Sequence, residues 1–138
     1  MLQNFNYNYV ICGAGGFYNI GYRDIMNLPN VNYYGSYKEG IQTTWMQRLV
    51  RLTFSKKANQ YVRTPFSKIT YPRIYKPKFE DNKPLCFLFF GNVQYVYQTS
   101  YLSYLRDTYP NVKIVLYMQD LICRNPDLNF EGCRNSFD

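Results

Sequence analysis

A chain of 138 residues without a single histidine excludes every His-based triad or general base and the zinc sites that rely on imidazole. Its length suits one domain with a real core, and its formal charge of +7 directs attention to anionic partners. No apolar run approaches the roughly 20 residues of a membrane span, and no basic region precedes the first apolar run, so no secretory leader is expected.

Any acid–base chemistry must therefore fall to Asp, Glu, Tyr, Lys or Cys. Cys12, Cys86, Cys123 and Cys133 form no CxxC pair, which reads as the reduced, mostly structural thiols of a cytoplasmic protein. No metal ligand set is apparent. Sixteen tyrosines point either to partly buried, wet surfaces, because each ring is apolar while its hydroxyl needs a partner, or simply to the base composition of the source genome.

After a polar leader, Tyr9 to Cys12 form a short apolar run that reads as a strand buried on both faces, as in a parallel sheet. Gly13, Ala14, Gly15 and Gly16 follow as a turn through which backbone can approach a ligand closely. Ile20, Asp24, Ile25 and Leu28 then recur on a helical period, predicting a helix over 18–27 that stops at Asn27-Leu28-Pro29-Asn30. A strand, a glycine turn and a helix start together favour an anion, phosphate or carboxylate. Val31 to Tyr34 read as a second strand, closed by Gly35, and the pair fits one βαβ unit.

Ile41, Trp45, Leu49 and Leu52, with Met46, Val50 and Phe54 beside them, predict an amphipathic helix over 41–54. Arg48 and Arg51 lie on its polar flank, and Lys56 and Lys57 follow it. Residues 58–84 read as an irregular segment in which basic and aromatic side chains alternate and prolines break any long helix. Nine of the 16 basic residues fall between positions 48 and 78, where there is no Asp or Glu. The excess charge is local.

LCFLFF, Leu85 to Phe90, is the most apolar run and predicts a central parallel strand, with Gly91 and Asn92 at its carboxyl end. Ser100 to Leu105 predict a helix ended by Tyr109-Pro110-Asn111. Val112 to Met118 predict the fourth strand, with Gln119 and Asp120 just past it. Leu121 to Arg124 read as the start of a further helix, and Asn125-Pro126-Asp127 and Gly132 mark loop. The whole of 1–138 thus reads as one α/β, Rossmann-like domain, three layers α/β/α around a mainly parallel sheet of about four or five strands.

Open α/β sheets bind ligands at the carboxyl ends of their strands. This makes Gly13, Gly15, Gly16, Phe17, Gly91 and Asn92 the candidate substrate-binding residues. Asp120 is the one carboxylate placed to act as a base, unless it caps a following helix. The glycine turn matches only part of the dinucleotide fingerprint G-x-G-x-x-G: Tyr18 stands at the third glycine, and the expected acid about 20 positions on is missing. For the basic stretch, no nucleic-acid module is present. Trp45, Arg48, Arg51, Lys56 and Lys57 instead have the composition of a helix lying in an anionic headgroup layer, or of a core-facing helix with a solvated basic flank.

YLSYLRDTYPNVKIVLYMQDLI, a helix ending in YLRDTYPN followed by an apolar strand and an acid, resembles the amino-terminal half of GT-B glycosyltransferases. The likeness is to bacterial enzymes that build capsular, exopolysaccharide or lipopolysaccharide chains, and YVICGAGGFYNIGYRDIMN looks like their first βα unit. The resemblance implies an acceptor-binding domain that is inactive alone and has no cofactor of its own. The nucleotide-sugar donor would sit on a missing carboxyl-terminal domain, and the acceptor would be a sugar or lipid-linked sugar at the inner face of the cell membrane. GAGG also resembles the nucleotide-sugar domain of sugar acyltransferases, usually GAGGHG, although Phe17 and Tyr18 replace its last two residues.

Two readings from other classes stand beside the acceptor-binding one. They are a Rossmann domain binding a nucleotide or nucleotide-sugar, and a non-enzymatic module on an anionic membrane surface. An uncovered sheet edge would also allow a homodimer.

Overall fold

Four short apolar runs become four strands: β1, Asn8–Cys12; β2, Val31–Tyr34; β3, Leu85–Phe90; and β4, Lys113–Tyr117. The computed structural model describes residues 6–13, 23–35, 45–46, 48–49, 63–90, 99–117 and 133–138, with the backbone alone at 23 and 63–66. All three strand pairings are parallel, and the order across the sheet is β2-β1-β3-β4. The fold is the Rossmann-like α/β arrangement that the sequence predicts. Runs such as LCFLFF suit it because a parallel sheet is covered on both faces and needs no polar alternation.

Side-chain alternation sorts the core into two clusters, one on each face. Val10 and Cys12 of β1, Leu85, Phe87 and Phe89 of β3, and Ile114 of β4 form the larger one. It is covered by helix α3, Thr99–Thr108, through Tyr101, Leu102 and Leu105. On the other face Ile11, Val31 and Phe90 pack with Tyr9, Leu28, Tyr33 and Leu88. Leu28 belongs to the β1–β2 connection, which also holds the short helix α1, Arg23–Met26. Connections packed on opposite faces are what right-handed crossovers produce when the chain first steps one way from β1 and then the other.

The α3 helix ends at Tyr109-Pro110-Asn111. The Val112 N–H donates to the Tyr109 carbonyl at 3.3 Å, and Asn111 takes a left-handed φ of 55°. Asparagine tolerates that region better than other residues with a Cβ, and glycine is freer still. We expect Asn111→Gly to leave the urea midpoint unchanged or higher, and Asn111→Val to cost about 1–2 kcal/mol. Equal midpoints for the two variants would contradict this.

The segment over 58–84 departs from the irregular chain predicted for it. Helix α2 spans Arg63–Thr70, and a 3-10 turn follows over Tyr71–Arg73. Pro65 and Pro72 each lie in the first turn of their element, where a missing N–H breaks no helical bond. Tyr71 and Tyr75 are buried, with Ile74 between them. The Tyr71 hydroxyl is 2.8 Å from Ser100 Oγ, and its ring is 5.3 Å from that of Tyr101. Tyr71 and Tyr75 are therefore core, while Lys68, Arg73, Lys76 and Lys78 are exposed.

Positions 45–46 and 48–49 are helical, as predicted. Met46 is buried and Leu49 packs against the larger cluster, but Trp45 is 57% exposed. The core-facing side runs through Met46 and Leu49, three apart, and not through Trp45.

At the outer edge of β4 the segment 133–138 comes alongside. The Asp138 N–H donates to the Ile114 carbonyl at 2.9 Å, and the Ile114 N–H donates to Asp138 Oδ2 at 2.7 Å. Arg106 from α3 and Lys113 from β4 hold the same carboxylate at 3.0 and 3.5 Å. Burial by itself would raise the Asp138 carboxyl, but the Ile114 N–H, Arg106 and Lys113 together hold it below the ordinary carboxylate value.

A carboxyl with a lowered folded pKa contributes stability that is fully present above its unfolded value, about 3.9 for Asp. That contribution is lost as pH falls through the lower folded value. We expect Asp138→Asn to lower stability at pH 7 by about 1 kcal/mol and to narrow its gap from the parent below pH 4. A gap that is constant from pH 7 to pH 2.5 would contradict the assignment.

Candidate functional site

The order β2-β1-β3-β4 reverses between β1 and β3, and the carboxyl ends of those two strands flank the crevice where doubly wound sheets bind ligands. Gly13 stands at this point, immediately after β1. Its N–H donates to the Tyr34 carbonyl at 2.8 Å, so it carries the β1–β2 ladder one step past the strand. Its φ is 84°, a region that a residue with a Cβ enters only at a cost. Gly35, also buried, follows β2 beside it.

Tyr34 closes one side of this end of the sheet. Its hydroxyl donates to the Lys76 carbonyl at 3.0 Å, and its ring lies 5.3 Å from that of Tyr75. Tyr75 is fully buried, with φ 46°, and its ring is 6.1 Å from Phe89 of β3. A left-handed backbone at a bulky residue costs about 1–2 kcal/mol. Burial of the ring offsets it with a gain of similar or larger size, about 1.5–3 kcal/mol. The segment after α2 is thus clamped onto the carboxyl ends of β2 and β3.

This wall carries no charge. Burial pushes the Cys12 thiol well up, and its Sγ points to the Val10 carbonyl at 3.6 Å. Burial likewise raises Tyr101, whose hydroxyl reaches the Ile74 carbonyl at 3.5 Å, and Tyr34, with the Cys12 sulfur adding to both. All three stay neutral at pH 7. Cys12 is a packing residue and not a thiolate nucleophile.

Of the residues the sequence marks out for substrate, Gly13 is the one placed by the structure, and it lies at the switch point. Gly15, Gly16, Phe17, Gly91, Asn92 and Asp120 lie outside the described residues. Of the basic and aromatic set, Trp45 and Arg48 are exposed, on a helix whose Met46 enters the larger cluster. Arg51, Lys56 and Lys57 lie outside the described residues. Tyr34 and Tyr75, which shape this end of the sheet, carry no sequence signal beyond being two tyrosines among sixteen.

Two clefts lie at the opposite, amino end of the sheet. One, of about 520 Å³, is bordered by Phe79, Pro84 and Tyr109, and the other, of about 470 Å³, by Asn8, Asn30 and Lys78. Phe79, Asp81 and Lys83 border both. The Asp81 carboxylate accepts from the buried Asn8 side chain and pairs with Lys83 at 3.4 Å. The Asn8 bond, with Lys83 helping, holds the Asp81 carboxyl below its ordinary value. Its oxygens already tie the β3 approach to the start of β1, a structural role. Among the described residues no three His, Cys, Asp or Glu side chains converge as a metal site would require.

No protein-family model matches the chain, and neither a curated protein nor a solved structure does. Among the described residues no helix is long and apolar enough to cross a membrane.

Proposed function

We propose that this chain is the acceptor-binding half of a GT-B glycosyltransferase that builds capsular, exopolysaccharide or lipopolysaccharide chains. The observation that carries the reading is the reversal of strand order beside Gly13, because that reversal opens a crevice at the carboxyl edge of the sheet. The neutral wall of Cys12, Tyr34 and Tyr101 suits a ligand that is positioned and not chemically attacked by these side chains. In this reading the domain works by orientation. The loops after β1, β3 and β4 hold an acceptor sugar, Asp120 accepts the proton of its attacking hydroxyl, and a second domain brings the nucleotide-sugar.

Calorimetry of the chain with a water-soluble, short-chain lipid diphosphate sugar tests this. The acceptor analogue should bind, and Gly13→Ala should weaken it by about tenfold, or 1.4 kcal/mol. Binding of nucleotide-sugars alone would favour the nucleotide-binding alternative, and binding of neither would sink both.

A peripheral place on the inner face of the cell membrane is supported by a separate observation. Trp45, Arg48, Lys68, Arg73, Lys76 and Lys78 are all exposed, in a stretch whose positions 48–78 hold no acid. Their elements pack Met46, Tyr71, Ile74 and Tyr75 into one cluster, so their outer sides look away from the same face of the sheet. Each such cation near an anionic surface contributes about 1 kcal/mol. Co-sedimentation with vesicles containing anionic lipid should fall with added salt and with neutralisation of Arg48, Arg51, Lys56 and Lys57. Retention that ignores both would contradict this placement.

A further inference from the structure

The smaller cleft at the amino end of the sheet, about 470 Å³, is bordered by two buried asparagines whose side-chain amides are only half used. Asn8 is 1% exposed and Asn30 is 8% exposed. The Asn8 amide nitrogen donates to the Asp81 carboxylate, and the Asn30 amide nitrogen donates to the Tyr7 carbonyl at 3.4 Å. A carboxylate and a carbonyl both need a donor, so each contact fixes which end of its amide it meets. Among the described residues neither Oδ1 meets a donor.

Buried polar atoms are almost always hydrogen-bonded, and one left dry is costly. Both asparagines border the cleft, so that is where a donor reaches the two oxygens. Backbone bonds hold the pair in place: the Asn8 N–H donates to the Pro84 carbonyl at 3.0 Å, and the Asn30 carbonyl accepts from the Tyr9 N–H at 2.8 Å. Acceptors fixed in this way leave little ordering to oppose binding.

The charges around the cleft define the ligand. Glu80 and Asp81 are matched there by Lys78 and Lys83, with Lys83 3.4 Å from Asp81. That balance disfavours a metal ion, which calls for carboxylates free of a competing ammonium, and equally a simple anion, which the two carboxylates repel. A small zwitterion suits it. An ammonium brings three N–H donors to the acceptors on Asn8, Asn30 and Asp81, while a carboxylate is drawn to the lysines. Pro29 and Phe79 add apolar surface for a side chain, and the volume lies within the range of small-molecule pockets. We infer that this cleft binds a free α-amino acid, its ammonium on Asn8 and Asn30 and its carboxylate toward Lys78.

Amide shift mapping of the labelled full chain with each of the common L-amino acids, at millimolar concentration, tests this. At least one should move the side-chain amides of Asn8 and Asn30 together with the backbone amides of Phe79 and Asp81. Its N-acetyl derivative, which has no ammonium, and its carboxamide, which has no carboxylate, should each bind about tenfold more weakly. Lys78→Ala, at an exposed position, should weaken binding by a similar factor, and Asn30→Ala should weaken it further. Three results would overturn the inference. They are shifts from no amino acid, whether the cleft then answers to calcium chloride or holds water alone; blocked derivatives that bind as tightly as the free amino acid; or a Lys78→Ala chain that binds like the parent.

Discussion

Replacing Phe89 by alanine is expected to lower the stability of this domain by about 3–5 kcal/mol, a large share of the roughly 5–15 kcal/mol that holds a domain folded. Phe89 is fully buried on an interior strand. Its ring stacks on Phe87 at 5.9 Å and meets Tyr75 at 6.1 Å and Tyr101 at 6.4 Å. It therefore joins the sheet, α3 and the segment after α2, and removing it leaves a cavity bordered by three elements that cannot all close in. Leu88, one residue away on the opposite face and only partly buried, should cost markedly less when cut to alanine. Urea unfolding of the two variants checks this. Equal midpoints would mean that the larger cluster is not the main core.

The second large effect is expected at Gly13. Its φ of 84° costs a residue with a Cβ about 1–2 kcal/mol, and a β-branched side chain at this buried position adds crowding of about 1–3 kcal/mol. Gly13→Ala should therefore lose the backbone term alone, and Gly13→Val the sum of both. The damage should be local, because the bond from the Gly13 N–H to the Tyr34 carbonyl joins β1 to β2 at the edge of the proposed site. Amide exchange at Gly13 and Gly35 should accelerate in Gly13→Ala more than exchange at Phe87. Uniform acceleration across the sheet would mean that Gly13 acts on global stability and not on this edge.

The strands were legible because a parallel sheet demands continuous apolar runs, and YVIC, VNYY, LCFLFF and VKIVLYM stand out against a polar chain. Their direction followed from the helical pattern between the first two and between the last two. The position of β3 beside β1 was not legible, since nothing in residues 35–84 says that this connection crosses the sheet. The prolines misdirected the reading there: Pro65 and Pro72 look like breaks, yet each starts a helical turn. Tyr71 and Tyr75 read only as aromatics interleaved with basic residues such as Arg73 and Lys76, and packing against Tyr101 and Phe89 is what places them in the core. The Asp138 contact with Ile114 joins positions 24 residues apart through one side chain, and it leaves no periodic trace. For the site, the glycine after β1 was readable as a turn that lets backbone approach a ligand closely, whereas its positive φ and the tyrosines that enclose it were not.

The central claim is that the ligand lies at the carboxyl ends of β1 and β3. Amide shift mapping of the labelled chain during titration with the short-chain lipid diphosphate sugar tests it most directly. The account predicts the largest shifts at Gly13, Gly35 and Phe90, with little change at Asn8, Asp81 and Leu85. Shifts centred on Asn8, Asp81 and Leu85 at the opposite end of the sheet would contradict it.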